Sequence, residues 1–338
     1  MPTSSLSVLR SAELRPRLIA IGTFIALFHA AIAVPLLWYS PAHPILLGLV
    51  VLSYGLGLRH AVDPDHIAAI DNTTRKLMRD GKTPAGVGFF FALGHSSIVV
   101  LMCVLVVMSA SFLDKALPAF KELGTLISSV ASCIFLLVIG FVNLFILIDT
   151  FKEWRKSGKD ENPVKNIDDY LGGGILARIL RPVLKLVGNS PGMFWVGLLF
   201  GLGFDTASEV ALLSISGSSG VISMPMEVII LIPLAFTAGM ILIDTVNGVL
   251  MLGAYSWAFL EPSRKLYYNL TITFASVIIA LLIGGIEALQ IINRHFSANT
   301  PIFSFAEGIH FENWGFYIVI VFLVSWLGSV FLQGRRVR

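Results

Sequence analysis

Apolar segments of membrane-spanning length recur from one end of the chain to the other. A bilayer core requires about 20 consecutive apolar residues per helix, and eight stretches of the sequence approach that length. Only 13% of the 338 residues are charged, whereas soluble domains carry about 25%. The sequence therefore predicts an all-α, polytopic membrane protein with about eight transmembrane helices.

The predicted spans form a single transmembrane domain over residues 1–338. We place them at residues 18–39, 45–70, 85–110, 124–148, 191–215, 228–259, 267–291 and 314–333. The first exceeds the apolar core of a signal peptide, about 7–15 residues, and is interpreted as a helix. Residues 149–190 form the longest hydrophilic loop, and residues 175–187 within it suit an amphipathic helix on the membrane surface.

Basic residues are distributed unevenly between alternate loops. They lie in the N-terminal segment, after the second, fourth and sixth spans, and in the C-terminal tail, whereas the other loops hold only Lys115, Lys121 and Arg294. Because cytoplasmic loops are enriched in Lys and Arg, both termini are predicted to be cytoplasmic. Since the basic residues form no single patch, nucleic acid is not expected as a partner.

Ionisable side chains are concentrated at the inner end of the second span. Residues 59–66 read Arg-His-Ala-Val-Asp-Pro-Asp-His, which places His60, Asp63, Asp65 and His66 close together. Ionisable groups inside a membrane are costly and indicate a functional site by default. Imidazole and carboxylate suit nickel, cobalt or zinc, and the absence of Met or Cys ligands argues against copper(I). The alternative is an internal hydrogen-bond and salt-bridge cluster.

Pro64 determines how these side chains can meet. On a straight helix His60, Asp63 and His66 share an arc of about 120°, and Asp65 points elsewhere. Asp63 is a good N-cap and Pro64 a good first-turn residue. A helix that breaks at Asp63 and restarts at Pro64 would let all four side chains converge and would free carbonyls to face a cation. The alternative is a modest proline kink in a continuous span.

Three other spans carry candidate ligands. His95 lies in the third span and Asp244 in the sixth, while Asp205 and Glu209 lie four residues apart in the fifth. That spacing puts the last two on one helix face, where they would repel unless a cation or proton bridges them. Interhelical hydrogen bonding is the structural alternative for each group. At about 1.5 Å per residue the depths of these groups overlap, which is compatible with one site.

The second and third spans echo the fifth and sixth. Leu-Arg-His-Ala-Val-Asp and Leu-Gly-His-Ser in the first pair correspond to Leu-Gly-Phe-Asp-Thr and Ile-Asp-Thr in the second. An offset of three spans reverses the orientation, so the similarity suggests an inverted repeat of the kind found in transporters.

Four motifs together resemble the signatures of the nickel/cobalt transporter family (NiCoT), of the bacterial high-affinity nickel permease type. They are residues 59–67, 91–99 (FALGHSSIV), 202–209 (LGFDTASE) and 239–245 (GMILIDT). The first contains the family's His-x4-Asp-His core. The sequence departs from the family at Pro64, where alanine is common, and at Asn247, where an aspartate is common.

The resemblance implies high-affinity uptake of Ni²⁺, and of Co²⁺ as a related ion, as transported substrate across the bacterial cytoplasmic (inner) membrane. No cofactor and no enzymatic activity are expected. The predicted metal residues are His60, Asp63, Asp65, His66, His95, Asp205, Glu209 and Asp244. No Walker A motif occurs, so we expect a secondary, membrane-potential-driven transporter without an ATPase subunit. The ion and the lipid bilayer are the expected partners, and the oligomeric state stays open.

Two alternatives to uptake would require sequence features that this chain lacks. An efflux permease of related architecture would carry a histidine-rich cytoplasmic loop, and residues 149–190 contain no histidine. An intramembrane metalloprotease would need a motif such as H-E-x-x-H, which the chain lacks. The preference between nickel and cobalt does not follow from the ligand types, because both ions accept the same ligands.

Overall fold

The computed structural model describes residues 14–108, 117–156, 187–203, 206–221, 224–259, 262–296, 300–309, 314–318 and 320. Every regular element within these ranges is a helix, which confirms the all-α prediction. The helices are α1 (Leu14–Tyr39), α2 (Pro44–His60), α3 (Pro64–Arg79), α4 (Val87–Met108), α5 (Leu117–Lys156), α6 (Met193–Phe200), α7 (Ala207–Val221), α8 (Met226–Ile229), α9 (Leu231–Phe259), α10 (Pro262–Phe296) and α11 (Pro301–Glu307).

Five helical stretches of the described chain are long and apolar enough to cross a membrane, so this is a multi-pass membrane protein. They are Leu14–Tyr39, Val87–Met108, Glu122–Phe145, Met226–Ser256 and Thr273–Arg294. The bent pair α2 and α3 makes a sixth candidate. These six correspond to the first, second, third, fourth, sixth and seventh predicted spans. Of the eighth, residues 314–318 and 320 are described, and residues 321–333 lie outside the described ranges, as do residues 175–186.

The fifth predicted span, residues 191–215, is divided into two helices, α6 and α7. The described residues between them, 201–203 and 206, are not helical. Two glycines, Gly201 and Gly203, weaken helix propagation there. Thr206 then favours a new start, because its Oγ1 accepts a hydrogen bond from the Glu209 amide at 3.3 Å. This Thr-x-x-Glu arrangement is typical of a helix N-terminus.

Glycines allow the helices to cross at very short distances around the centre of the bundle. A Cβ added at Gly57 would lie 2.0 Å from the carbonyl oxygen of Phe236, where α2 crosses α9. A Cβ added at Gly94 would lie 1.9 Å from the carbonyl oxygen of Phe194, where α4 crosses α6. Small residues are what membrane helices use to pack backbone against backbone. These crossings bring the polar residues of α2, α4, α7 and α9 toward one another.

Helix α3 is polar yet buried. Its six consecutive polar residues from Asp71 to Lys76 are all at most 4% exposed. It packs against α4, α5, α9 and α10, which shield it from the lipid. Polar side chains buried in a membrane protein need internal partners. Some of these bonds stay within the segment, such as the one from Asn72 to the Ala68 carbonyl, and others come from the neighbouring helices. The most extensive set surrounds Arg75, which contacts hydroxyl groups of Tyr255, Thr273 and Ser276.

Candidate metal centre

The site is built on the interruption between α2 and α3. Helix α2 ends at His60, α3 begins at Pro64, and the two are bent by 54°. Asp63 precedes α3 in an extended conformation, with φ −64° and ψ 143°, as expected for the residue before a proline. The predicted helix break is therefore confirmed, and the alternative of a modest kink in a continuous span is wrong.

Three buried imidazoles converge at this break. His60, His66 and His95 each offer one ring nitrogen, and these three atoms lie within 4.8 Å of one another. The Nε2 atoms of His60 and His95 are 3.0 Å apart. All three residues are at most 3% exposed. Nitrogen atoms this close, on three separate helical segments, can bind one ion without a large rearrangement of the backbone.

Carboxylates orient two of the three rings through their other nitrogen. His60 Nδ1 lies 2.9 Å from Asp63 Oδ2, and His66 Nδ1 lies 3.2 Å from Asp244 Oδ2. Because a carboxylate only accepts hydrogen bonds, Nδ1 is the donor in both pairs. When the ring is neutral, Nε2 is then the unprotonated nitrogen, and this is the form that can bind a metal ion. Metal-binding histidines are held in this way by outer carboxylates, which fix the tautomer and the ring orientation.

Glu209, at the start of α7, supplies a carboxylate next to the imidazoles. Its Oε1 lies 3.0 Å from His95 Nε2 and 3.8 Å from His60 Nε2. Its Oε2 accepts a hydrogen bond of 2.8 Å from the Thr206 hydroxyl, and that hydroxyl also lies 3.4 Å from His60 Nδ1. Oε1 of Glu209 therefore lies beside two of the three imidazoles of the cluster.

Aromatic rings close the site on two sides. The Phe91 ring is perpendicular to that of His66 with centroids 4.8 Å apart, and the Phe236 ring lies 5.5 Å from that of His60. Such rings exclude water and restrict rotation of the imidazoles. In the low dielectric that results, the negative charges of Asp63, Glu209 and Asp244 act more strongly on a cation than they would in water.

Three polar atoms of the site have no hydrogen-bond partner among the described residues. They are Nε2 of His66, Nδ1 of His95 and Oδ1 of Asp244, and all three are buried. Buried polar groups are nearly always paired, so an unpaired atom calls for an explanation such as a missing ion or water. His66 Nε2 is the atom that its Asp244 partner leaves available for a metal ion.

The structure brings together six of the eight residues predicted from the sequence: His60, Asp63, His66, His95, Glu209 and Asp244. Asp65 lies beside them, but its Oδ1 accepts a 2.9 Å hydrogen bond from the His66 amide at the start of α3. The expectation that all four groups of the 60–66 segment converge on one point therefore holds for three of them. Asp205, and with it the predicted face shared with Glu209, lies outside the described residues.

Sequence reasoning missed Thr206 and the aromatic residues Phe91 and Phe236. The signal for Thr206 was present, because residues 206–209 read Thr-Ala-Ser-Glu, the pattern of a capping box. The aromatic residues carry no comparable signal, since phenylalanine is common throughout the apolar segments.

Comparison with known proteins identifies the family. Residues 46–332 match a family model, NicO, described as "High-affinity nickel-transport protein". No solved structure matches the chain.

The chain is similar to curated relatives over most of their length. The chain is 48% identical to the "High-affinity nickel transport protein" of Cupriavidus necator, over 87% of this chain and 85% of that protein. It is 44% identical to the "Nickel transporter NixA" of Staphylococcus aureus, over 85% of each. It is 37% identical to the "Cobalt transport protein NhlF" of Rhodococcus rhodochrous, over 84% and 82%. The family predicted from the four motifs is therefore confirmed, and it is a family of transport proteins rather than enzymes. The chain belongs to the NicO family of high-affinity nickel-transport proteins.

Proposed function

We propose that this protein takes up Ni²⁺, and Co²⁺ as a second substrate, across the bacterial cytoplasmic membrane. The observation that carries the proposal is the buried cluster of His60, His66 and His95 with Glu209. Imidazole nitrogen and carboxylate oxygen suit both ions. Relatives named as nickel transporters support the first substrate, and the relative named as a cobalt transport protein supports the second.

The geometry supports distinct roles for the predicted site residues. In this proposal Nε2 of His60, His66 and His95 and Oε1 of Glu209 bind the ion. Asp63 and Asp244 orient the imidazoles rather than bind the ion in this conformation, since each already faces a ring Nδ1.

Two further carboxylates complete the proposed site. Asp65 adds negative charge at the start of α3, beside the His66 amide. Asp205 stays a candidate ligand on the grounds of its sequence position.

The driving force in this proposal is the membrane potential. An inside-negative potential contributes about 2.3 kcal/mol per elementary charge per 100 mV, and a divalent cation gains about twice that amount on entering the cell. The chain contains no Walker A motif, so ATP is not required at this polypeptide. The simplest transporter that does not hydrolyse ATP is a secondary transporter without an ATPase subunit.

The proposed topology is one domain of eight spans with both termini in the cytoplasm. Supporting it, most basic residues lie in the N-terminal segment, in the C-terminal tail and after the apolar part of the second, fourth and sixth spans, as in proteins that follow the positive-inside rule. Single cysteines introduced in the loops at residues 80–84 and 40–43 test this, in a background without Cys103 and Cys133. In intact cells an impermeant thiol reagent should label only the 40–43 loop, and the reverse pattern would contradict the proposed orientation.

The internal repeat also belongs to this proposal. Two interrupted helices, α2–α3 and α6–α7, each contribute groups to the site at their break. The first halves pack in corresponding ways: α2 contacts α9 at Gly57 and Gly239, and α6 contacts α4 at Gly197 and Gly94. Paired interrupted helices of this kind support an inverted repeat with the ion at its centre.

Accumulation of ⁶³Ni in cells tests the proposed function. Cells with the wild-type protein should accumulate the ion. At equal expression, cells with His60→Ala should not, and cells with Asp65→Asn should accumulate less. His43→Ala is a matched control, because His43 lies in the turn before α2 and makes no capping hydrogen bond there. Uptake that is unchanged in both site variants would overturn the site. Protection of cells from toxic nickel, rather than sensitisation, would indicate efflux.

A further inference from the structure

We propose that Arg75 is a positioning residue for transport: together with Asp71 and Tyr255 it holds α3 in the orientation at which His66 meets the other two imidazoles. The inference rests on the proposed function. It concerns three residues that are not among the proposed metal-binding residues. We refer to Asp71, Arg75 and Tyr255 as the α3 clamp.

Helix α3 needs such a support because the backbone does not fix its direction. At the break Ala61, Val62 and Asp63 donate only to carbonyls of residues 57, 59 and 60, and the next backbone bond begins α3 itself, from Ile67 to Asp63. The regular ladder of α2 therefore does not continue into α3. With a bend of 54° between the two halves, the direction of α3 has to be set by side-chain contacts with its neighbours.

The clamp supplies those contacts with a buried guanidinium. Arg75 is 1% exposed, and its Nη2 donates to the Tyr255 hydroxyl at 2.6 Å. The same hydroxyl donates to Asp71 Oδ1, while Asp71 Oδ2 lies 3.7 Å from Arg75 Nη2. Tyr255 thus lies between the two opposite charges of α3 and joins both to α9. The guanidinium also lies 4.6 Å from the centre of the Tyr255 ring.

Among the described residues, polar side chains join α3 to α9 at two places, and the clamp is the second of them. The first is the hydrogen bond from His66 to Asp244 at the other end of α3. Along α3 the distance from His66 to Arg75 is about 13 Å, and along α9 the distance from Asp244 to Tyr255 is about 16 Å. A helix attached to its neighbour at two such distant points cannot tilt without breaking one of them. The α3 clamp therefore controls the position of the His66 ring relative to the ion.

An arginine is suited to this role in a way that lysine is not. Its planar fork presents five donors in fixed directions, and here it reaches hydroxyls on both α9 and α10: Tyr255 on α9, with Thr273 and Ser276 on α10. Of these three partners, only Tyr255 lies on a helix that also carries a residue of the metal centre, because α9 contains Asp244. The two sets of hydroxyls can therefore be separated by substitution.

Tyr255→Phe and Ser276→Ala form a matched pair of tests. Each removes one hydroxyl that accepts from the same Nη2 atom, so the guanidinium keeps the other partner in both variants. Tyr255→Phe also releases Asp71 from α9, whereas Ser276→Ala does not. We expect Ni²⁺ affinity of the purified protein, measured by titration calorimetry, to fall about tenfold in Tyr255→Phe, within the range for residues that act on a site without touching it. Ser276→Ala should remain near wild type.

Uptake kinetics and a spectroscopic probe separate positioning from general stability. Tyr255→Phe should raise KM for ⁶³Ni, and the visible absorption of bound Co²⁺ should change because the ligand geometry changes. Arg75→Lys, which keeps the charge but loses the fork, should resemble Tyr255→Phe. Ni²⁺ affinity and KM that are the same in the wild type and all three variants would overturn the proposal. Variants that yield less folded protein, but whose folded fraction binds and transports nickel like the wild type, would overturn it as well. If the wild type itself neither binds nor accumulates nickel, the proposed function fails instead.

Discussion

His66 and Asp244, 178 residues apart in the chain, are joined by a 3.2 Å hydrogen bond between Nδ1 and Oδ2. Both side chains are completely buried, and the other oxygen of Asp244 and the other nitrogen of His66 have no hydrogen-bond partner among the described residues. The pair therefore links the interrupted helix α2–α3 to α9 and leaves the ligand atom of His66 free for a cation.

Replacing Asp244 by Asn should weaken metal binding without abolishing it. The amide oxygen can still accept from His66 Nδ1, but the negative charge that makes the ring a stronger ligand is lost. Losses of about 10–100-fold in affinity are typical for outer carboxylates. Calorimetric titration with Ni²⁺ measures this. Asp80→Asn is the control, because Asp80 pairs with Lys76 at the far end of α3, and an equal loss in that variant would contradict the assigned role.

Glu209→Gln should reduce Ni²⁺ affinity more than Asp244→Asn, because it removes a charged ligand rather than an orienting group. Thr206→Val should cause a smaller loss of about tenfold, at the lower end of outer-sphere effects, since it frees Glu209 Oε2 and uncaps α7. Ser214→Ala is the matched control on the same helix: its hydroxyl only bonds the Val210 carbonyl. A Glu209→Gln protein that binds nickel as tightly as the wild type would exclude Glu209 as a ligand.

Nickel should stabilise the folded protein in proportion to how strongly it binds. An ion present at about 100 times its Kd adds about 2.7 kcal/mol to the free energy of unfolding. Thermal denaturation in detergent with and without Ni²⁺ should therefore show a higher Tm with the ion, reversed by EDTA. In His95→Gln the shift should be largely lost, and the comparison uses the shift rather than Tm itself. A full shift in that variant would place the ion elsewhere.

Gly57→Ala should destabilise the protein, whereas Gly55→Ala should not. A methyl group at Gly57 would meet the Phe236 carbonyl at 2.0 Å, while nothing lies within 4 Å of a methyl group at Gly55. Overpacking typically costs about 1–3 kcal/mol, and here the obstacle is backbone that cannot rotate away. The fraction of protein that stays monodisperse after heating measures the effect. Equal stability of the two variants would mean that the α2–α9 crossing is looser than described.

The sequence was most informative where local chemistry decides the structure. Pro64 cannot continue α2, and Asp63 tolerates the extended conformation before it, so the interruption could be predicted from two adjacent residues. The ligand types were also readable, because ionisable groups in apolar segments are rare.

What the sequence could not supply depends on long-range packing. Which nitrogen of His60 or His66 is left available for an ion is set by where Asp63 and Asp244 lie after folding. The sequence alone therefore does not distinguish proposed ligands from proposed orienting groups. The interruption between α6 and α7 was missed because the apolar pattern continues through two glycines. A helix break there becomes evident only when Thr206 is recognised as the N-cap of α7, with its hydroxyl accepting from the Glu209 amide.

The buried polar character of α3 has a consequence for how the protein is made. Tyr255, Thr273 and Ser276, the partners of Arg75, lie 180, 198 and 201 residues later in the chain. When α3 leaves the ribosome, these partners have not yet been synthesised, and a charged helix without them is costly to place in hydrocarbon. We therefore expect α3 to remain at the membrane surface or within the insertion machinery until α9 and α10 arrive. Assembly of the metal centre is then among the last steps of biogenesis.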